Sequence, residues 1–229
     1  MNTNSHIIHL ASPTDKRTIH EGNFLDVSIK LSKTMLEISE LIKPKKFIYM
    51  SSGKASWTYK YKTSYEINPL GNVKLQNENY LQENLGDNTQ LQIIRLYNAF
   101  GPFQKVEYFI PKIIDHIRKD KVLRLGTLNH KRDFIFIDNV LEAIDVLLKS
   151  NTNECLFELG SGQSIEMSKI LDLILSYSEK KLEIVIEENL KRNYELHEEI
   201  ANIKNLEKLG WTLNYNLEKG LQKTLEHYE

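Results

Sequence analysis

Residues 91–102 read Leu-Gln-Ile-Ile-Arg-Leu-Tyr-Asn-Ala-Phe-Gly-Pro, and the architecture turns on them. The apolar run Leu91 to Leu96 is too short for a helix, and Asn98-Ala99-Phe100-Gly101-Pro102 breaks it, so it reads as a buried strand ending in a loop. Two similar runs come earlier: Ile7 to Ala11, stopped by Ser12-Pro13, and Phe47 to Met50, bounded by Ser51-Ser52-Gly53. Between those two, Phe24, Leu25, Ile29, Leu31, Met35, Leu36, Ile38, Leu41 and Ile42 recur at helical spacings among charged residues until Pro44 stops them. A polar turn and loop to Pro69 and a helix from about Asn72 to Leu85 complete the lead-in to Leu91. Strand and helix in alternation imply parallel strands joined by right-handed crossovers.

Beyond Pro102 the pieces shorten. A helix is expected over Ile110 to Arg118, strands over Val122 to Leu125 and Phe134 to Ile137, and a helix over Asp138 to Leu148. A strand over Leu156 to Leu159 and a helix over Ile165 to Ser178 follow; a charged segment (Glu183 to Glu199), Leu209-Gly210-Trp211 and a helix from Leu217 close the chain. The fold class expected is α/β, with a parallel sheet over residues 1–105 and a smaller α+β region over 106–229. No linker rich in Gly, Pro or Ser separates them, so the two are expected to be interleaved and packed together.

Composition excludes several roles. Thirty Lys+Arg against 31 Asp+Glu give a net charge of −1, too little field to grip a nucleic acid. The apolar runs fall far short of the ~20 residues a membrane-spanning helix needs. The polar start, Met1 to His6, carries no secretory pattern, and the single cysteine, Cys155, fits a reducing compartment, so a cytoplasmic location is expected. Seven histidines show no metal-ligand spacing, and no metal site is expected.

The ordered motifs carry a resemblance. His9-Leu10-Ala11-Ser12-Pro13, Phe47 to Ser52, Arg95 through Pro102, and Gly126 through Arg132-Asp133-Phe134 to Asp138 stand in one order along the chain, followed by Glu158 to Gly162 and Leu209-Gly210-Trp211. In that order they resemble the NAD-dependent nucleotide-sugar epimerase/dehydratase family, the extended short-chain dehydrogenase/reductases, with wording closest to UDP-glucuronate decarboxylases and UDP-glucose 4-epimerase-like members. The resemblance implies a Rossmann-like sheet of which only the later strands are present, NAD(P) as cofactor, a nucleotide sugar as ligand, and a place in polysaccharide biosynthesis. It implies catalytic roles for Ser52 and Lys74, cofactor contacts at Leu10, Ala11 and Lys74, and substrate contacts at Asn98, Leu123, Leu125 and Arg132.

Two departures stand beside it. The family seats the cofactor pyrophosphate on a Gly-rich turn opening a helix, where backbone amides approach phosphate because no Cβ intrudes. Here the only Gly-x-Gly is Gly160-Ser161-Gly162, with Ile165 where a third glycine would stand, and it reads as a strand-to-helix turn of the substrate region. The resemblance therefore implies that the first three strands are missing, that these residues alone do not hold NAD, and that an exposed sheet edge calls for a homodimer or a chain supplying the missing strands.

The second departure is chemical. Where the family reads Tyr-x-x-x-Lys, this chain has Leu70-Gly71-Asn72-Val73-Lys74. In the family the lysine lowers the phenol pKa while the tyrosine moves a proton. An isobutyl group has no proton to move, and only Tyr59, Tyr61 and Tyr65 lie close upstream to replace it.

Each residue also has a local reading. Ser52 fits a strand-end turn hydroxyl, Lys74 a solvated helix residue, Asn98 a turn cap and Arg132 an ion pair with Asp133 or Asp138. Leu123 and Leu125 fit an edge strand packed on core. The expectation is a family member impaired as a catalyst on its own; alternatively, a non-catalytic nucleotide-sugar-binding or scaffold subunit of an active paralogue, or a gene remnant.

Overall fold

A sheet of four parallel strands in the order β1-β2-β3-β7 organises the amino-terminal half of the computed structural model, which describes residues 5–12, 23–178, 181–190 and 196–228. Pro13 and residues 191–195 of the charged segment lie outside the described residues. The strands are β1 (His6–His9), β2 (Lys46–Ser52), β3 (Gln90–Leu96) and, out of sequence, β7 (Leu156–Leu159). Register runs Ile7 to Phe47, Phe47 to Leu91 and Ile94 to Phe157. Phe47, Ile48, Tyr49, Ile93 and Ile94 are buried because the crossovers between parallel strands lay helices over both faces of the sheet.

The crossover helices are α1 (Phe24–Ile42), α2 (Gly53–Tyr61) and α3 (Pro69–Asn84). α1 has the expected bounds but not the expected face. Its buried residues are Phe24, Ser28, Ser32, Leu36 and Ser39, while Val27, Ile38, Leu41 and Ile42 are exposed. Serines permit a close approach, and Ser32 Oγ donates to Asn77 Oδ1 on α3 at 2.6 Å.

The stretch expected to be loop contains α2, which the sequence pattern hides because it buries only Ala55 and Thr58. Ser52 starts it as N-cap, accepting the Lys54 N–H at 3.2 Å. α3 begins three residues earlier than expected: Asn68 caps it by accepting the Gly71 N–H at 3.2 Å, and Pro69 sits in the first turn, where its missing donor is harmless. Gly71 is required by a close approach of backbone, since a Cβ there would overlap Asn68 Nδ2 and the Lys54 carbonyl oxygen.

Lys46 is buried at the start of β2, and its ammonium donates to the carbonyls of Leu147 and Ser150 at the end of α5 (Ile137–Lys149). A cation at a helix carboxyl end meets both the unsatisfied carbonyls and the helix dipole.

The chain divides into two compact units: residues 1–97, 143–159 and 202–211, and residues 98–142, 160–201 and 212–229. The first boundary falls at 97/98, and β7 joins the first unit, where its partner is β3.

In the second unit, β4 (Asn98–Phe100), β6 (Lys131–Phe136) and β8 (Ser164–Glu166) form one sheet, and β5 (Leu123–Leu125) pairs in parallel with β9 (Ile184–Ile186). β9 lies in the segment read as charged excursion; three apolar residues among acids are too short a signal to separate. α4 (Phe109–Arg118), α6 (Met167–Ser176) and α8 (Leu217–Glu226) supply an apolar cluster that includes Ile110, Ile113, Ile170, Ile174 and Leu221. The short α7 (Lys204–Glu207) precedes Trp211, which is buried in the first unit. Among the described residues no helix is long and apolar enough to cross a membrane.

Candidate functional site

In the first unit, β1 and β2 carry His9, Tyr49, Ser51 and Ser52 at or near their carboxyl ends, and α3 brings Leu70, Lys74, Asn77 and Glu78 along consecutive turns. The carboxyl edge of a parallel sheet is where ligands bind in open α/β folds.

Lys74 is buried, its Nζ donates to the Met50 carbonyl at 2.8 Å, and it lies 5.0 Å from the centre of the Tyr49 ring. Burial pulls its ammonium down to about 8, against the opposing pull of the Glu78 carboxylate. The solvated-helix reading is thereby replaced. One turn earlier, Leu70 is half-buried and carries no ionisable group.

Glu78 is committed elsewhere: Arg95 Nε donates to its Oε1 at 3.0 Å and Nη2 to its Oε2 at 2.6 Å, and the Ser51 hydroxyl also donates to Oε1. Ser52, the serine singled out from the sequence, spends its acceptor on the α2 cap.

His9 is the site residue that spacing alone does not find. It is buried, its Nε2 lies 3.4 Å from Ser32 Oγ, its ring stands 5.3 Å from that of Tyr49, and its Nδ1 has no partner among the described residues. Burial first, and the Lys74 charge second, lower its pKa to about 4. Burial also pushes the Tyr49 phenol upward, with Glu78 adding to the effect, so Tyr49 stays protonated.

The three upstream tyrosines are not on α3. Tyr59 and Tyr61 lie on α2, 60% and 53% exposed, with Lys62 Nζ 4.5 Å from the Tyr59 ring and Lys60 Nζ 5.1 Å from the Tyr61 ring. Tyr65 is half-buried in the loop that follows. Leu10 and Ala11, the residues expected at the cofactor, follow β1 and are exposed.

In the second unit, Asn98 Nδ2 donates to the Asp133 carbonyl at 2.9 Å, tying β4 to β6. Arg132 is buried: Nη1 donates to the carbonyls of Lys131 and Leu196 at 2.6 and 2.9 Å, and Nε lies 3.5 Å from Glu199. Glu199, distant along the chain, is thus an acidic partner of Arg132. Leu123 and Leu125 both point into the apolar cluster, with Arg124 exposed between them.

The Gly-x-Gly turn finds its explanation at Asp133. This buried carboxylate accepts the N–H of Ser161 at 2.6 Å, the Ser161 hydroxyl at 2.7 Å, the N–H of Gly162 at 3.1 Å and the N–H of Ala201 at 3.0 Å. Burial raises the Asp133 pKa against the lowering effect of those four donors. Gly160 leaves room for the carboxylate, and Gly162 adopts φ 73°. A turn of this kind is an anion cradle, and the chain fills it with its own side chain. With Asp133 in it, the Gly160-Ser161-Gly162 turn does not offer its amides to a diphosphate. Among the described residues no cluster of His, Cys, Asp and Glu is arranged to hold a metal ion.

Comparison with known proteins yields a family model, described as the NAD dependent epimerase/dehydratase family, that matches residues 2–160. CDP-abequose synthase of Salmonella muenchen is 28% identical over 97% of this chain and 76% of its own length. A putative UDP-glucose 4-epimerase of Methanocaldococcus jannaschii is 24% identical over 96% of this chain and 75% of its own. Among solved structures, the UDP-glucose 4-epimerase of Thermotoga maritima with UDP-glucose superposes with a TM-score of 0.82 at 23% identity, covering 98% of this chain and 77% of that one. RMD from Pseudomonas aeruginosa complexed with NADPH superposes with a TM-score of 0.83 at 22% identity, covering 98% and 81%. These structural likenesses establish a shared Rossmann-like α/β fold.

Proposed function

The chain belongs to the NAD dependent epimerase/dehydratase family, and from that membership we propose that its 229 residues bind a nucleotide sugar without converting it unaided. Leu70 carries this reading. It stands on α3 one turn before Lys74, where a proton donor and acceptor would have to stand, and a hydrocarbon side chain can neither give nor take a proton. General acid/base help is worth roughly 10²- to 10⁴-fold in rate, so its loss alone leaves a slow catalyst. Lys74 keeps a lysine's place at the strand ends, and Ser51 and Ser52 keep hydroxyls there.

The binding half of the proposal rests on the second unit and on the relatives. Proteins named for CDP-, UDP-, GDP- and dTDP-sugars match this chain, and the shared element of those ligands is a diphosphate. Arg132 is the side chain suited to it, because a guanidinium meets phosphate oxygens in pairs. A diphosphate there would share that guanidinium with Glu199.

Calorimetric titration with UDP-, CDP-, GDP- and dTDP-sugars in the absence of NAD tests the reading. One nucleotide class is expected to bind at about micromolar affinity, and Arg132→Lys to weaken it at least about tenfold by losing the paired geometry. No heat with any sugar nucleotide, or turnover by the unassisted chain with NAD added, would refute it.

A further inference from the structure

An extended segment, residues 196–201, lies along β6. The Lys131 N–H donates to the His197 carbonyl at 2.7 Å and the Glu199 N–H to the Lys131 carbonyl at 3.1 Å, forming one parallel bridge between Lys131 and Glu198. Side chains alternate along it, as extended backbone requires. Glu199 and Ala201 turn inward and are buried, whereas Glu198 and Ile200 are exposed.

The inward side covers Arg132. Its Nη1 donates to the Leu196 carbonyl at 2.9 Å and its Nε lies 3.5 Å from the Glu199 carboxylate, with the two side chains 6% and 9% exposed. On the outside, the Ser164 hydroxyl donates to Glu198, which also lies 3.8 Å from Lys131 Nζ. The end of the segment is pinned more firmly. Ala201 is buried, and its N–H donates at 3.0 Å to Asp133, the carboxylate that also holds Ser161 and Gly162. Residues 196–200 carry one bridge and a solvent-facing side, and stretches of that kind open at low cost.

We propose that residues 196–200 form a strap that blocks Arg132, hinged at Ala201, and that a nucleoside diphosphate sugar binds by taking the guanidinium from Glu199 and lifting the strap off β6. This rests on the nucleotide-sugar reading of Arg132 given above. A diphosphate that shares the guanidinium brings its negative charge against the Glu199 carboxylate, and the repulsion is relieved when the carboxylate swings out. The exchange keeps the buried guanidinium paired at its start and at its end, whereas one left without a partner would be costly. Glu199 leaves for water, which solvates a free carboxylate.

The strap lowers the apparent affinity. A ligand that binds only the open form is weakened by the fraction of time that form is present, so a strap open about one-tenth of the time weakens binding about tenfold. Whatever loosens the strap therefore tightens the ligand, with or without a change of charge. The ligand in turn loosens the strap, because the coupling is reciprocal. Binding thus speeds amide exchange along the strap, opposite in sign to the slowing produced by a ligand that merely covers a surface.

Calorimetric titration with UDP-, CDP-, GDP- and dTDP-glucose, on the wild type, Glu199→Gln and Ser164→Ala, tests the proposal. Glu199→Gln is expected to bind the preferred nucleotide about tenfold more tightly, and Ser164→Ala, which removes one tie to Glu198 without changing a charge, a few-fold more tightly. Amide exchange on the wild-type chain needs no variant. With saturating ligand it should quicken at Lys131 and Glu199 and stay unchanged at Ala201 and Gly162. Wild-type binding with tightening confined to Glu199→Gln or absent from both variants, or exchange at Glu199 slowed by the ligand, would overturn the strap and leave the nucleotide-sugar reading standing. No heat from any of the three proteins would sink that reading itself, and the strap with it.

Discussion

Acidification should unfold this protein through His9, and the size of the effect follows from where that ring sits. The imidazole is buried against Tyr49 and near the Lys74 ammonium, which hold its pKa at about 4 against an ordinary 6.5. In the unfolded chain the ring takes up a proton as the pH falls through 6.5, while the native ring stays neutral until about 4. The unfolded state binds more protons across that window, so stability falls with pH between 6.5 and 4 and is fully present above it. At about 1.4 kcal/mol per pH unit the gap corresponds to about 3 kcal/mol as an upper bound, a large part of a domain's stability. Asp133 opposes this, because a carboxyl whose pKa is raised in the folded state gains stability on acidification. Lys74 is charged in both states below pH 8 and adds no slope there. Urea unfolding at pH 7.0, 6.0, 5.0 and 4.5 on the wild type and His9→Gln isolates the ring, since Gln keeps a polar atom near Ser32 and does not titrate. The wild-type curve should lose about 2 to 3 kcal/mol relative to the variant over this span. Parallel curves for the two proteins would refute the assignment.

Two substitutions probe the units separately. Gly71→Ala should destabilise the first unit by about 2 kcal/mol or more, measured by urea unfolding, because the added methyl meets backbone of α2 and the Asn68 cap rather than a yielding side-chain tip. Asp133→Asn replaces an acceptor of four hydrogen bonds by a group with one acceptor oxygen, leaving donors at Ser161, Gly162 or Ala201 unmet. A loss of about 2 to 4 kcal/mol is expected, with faster amide exchange at residues 160–162 as the local signature; exchange unchanged there would contradict the role given to the carboxylate.

Some of the candidate site was legible before any coordinates. Leu70 is read directly from the tyrosine-to-lysine spacing, because the absence of an ionisable proton depends on residue identity alone. The turn character of Gly160-Ser161-Gly162 was equally accessible, since a missing third glycine and the strand before it are local facts. Its anion was not: Asp133 is 28 residues upstream, and nothing local distinguishes a cradle for phosphate from one filled by a carboxylate. Arg132 likewise pairs with Glu199, across a separation that no neighbouring carboxylate suggests.

By itself the amino-acid sequence determined the alternation of β1, α1, β2, α3 and β3, because hydrophobic period and stop signals such as Pro44 and Pro102 act within a few residues. Tertiary structure alone decided which stripe of α1 is covered, that β7 returns beside β3, that β9 exists, and that His9 and Lys74 are driven toward their neutral forms. The physical reason is common to all four. Burial and desolvation are properties of a residue's surroundings, and those surroundings are assembled from segments far apart along the chain.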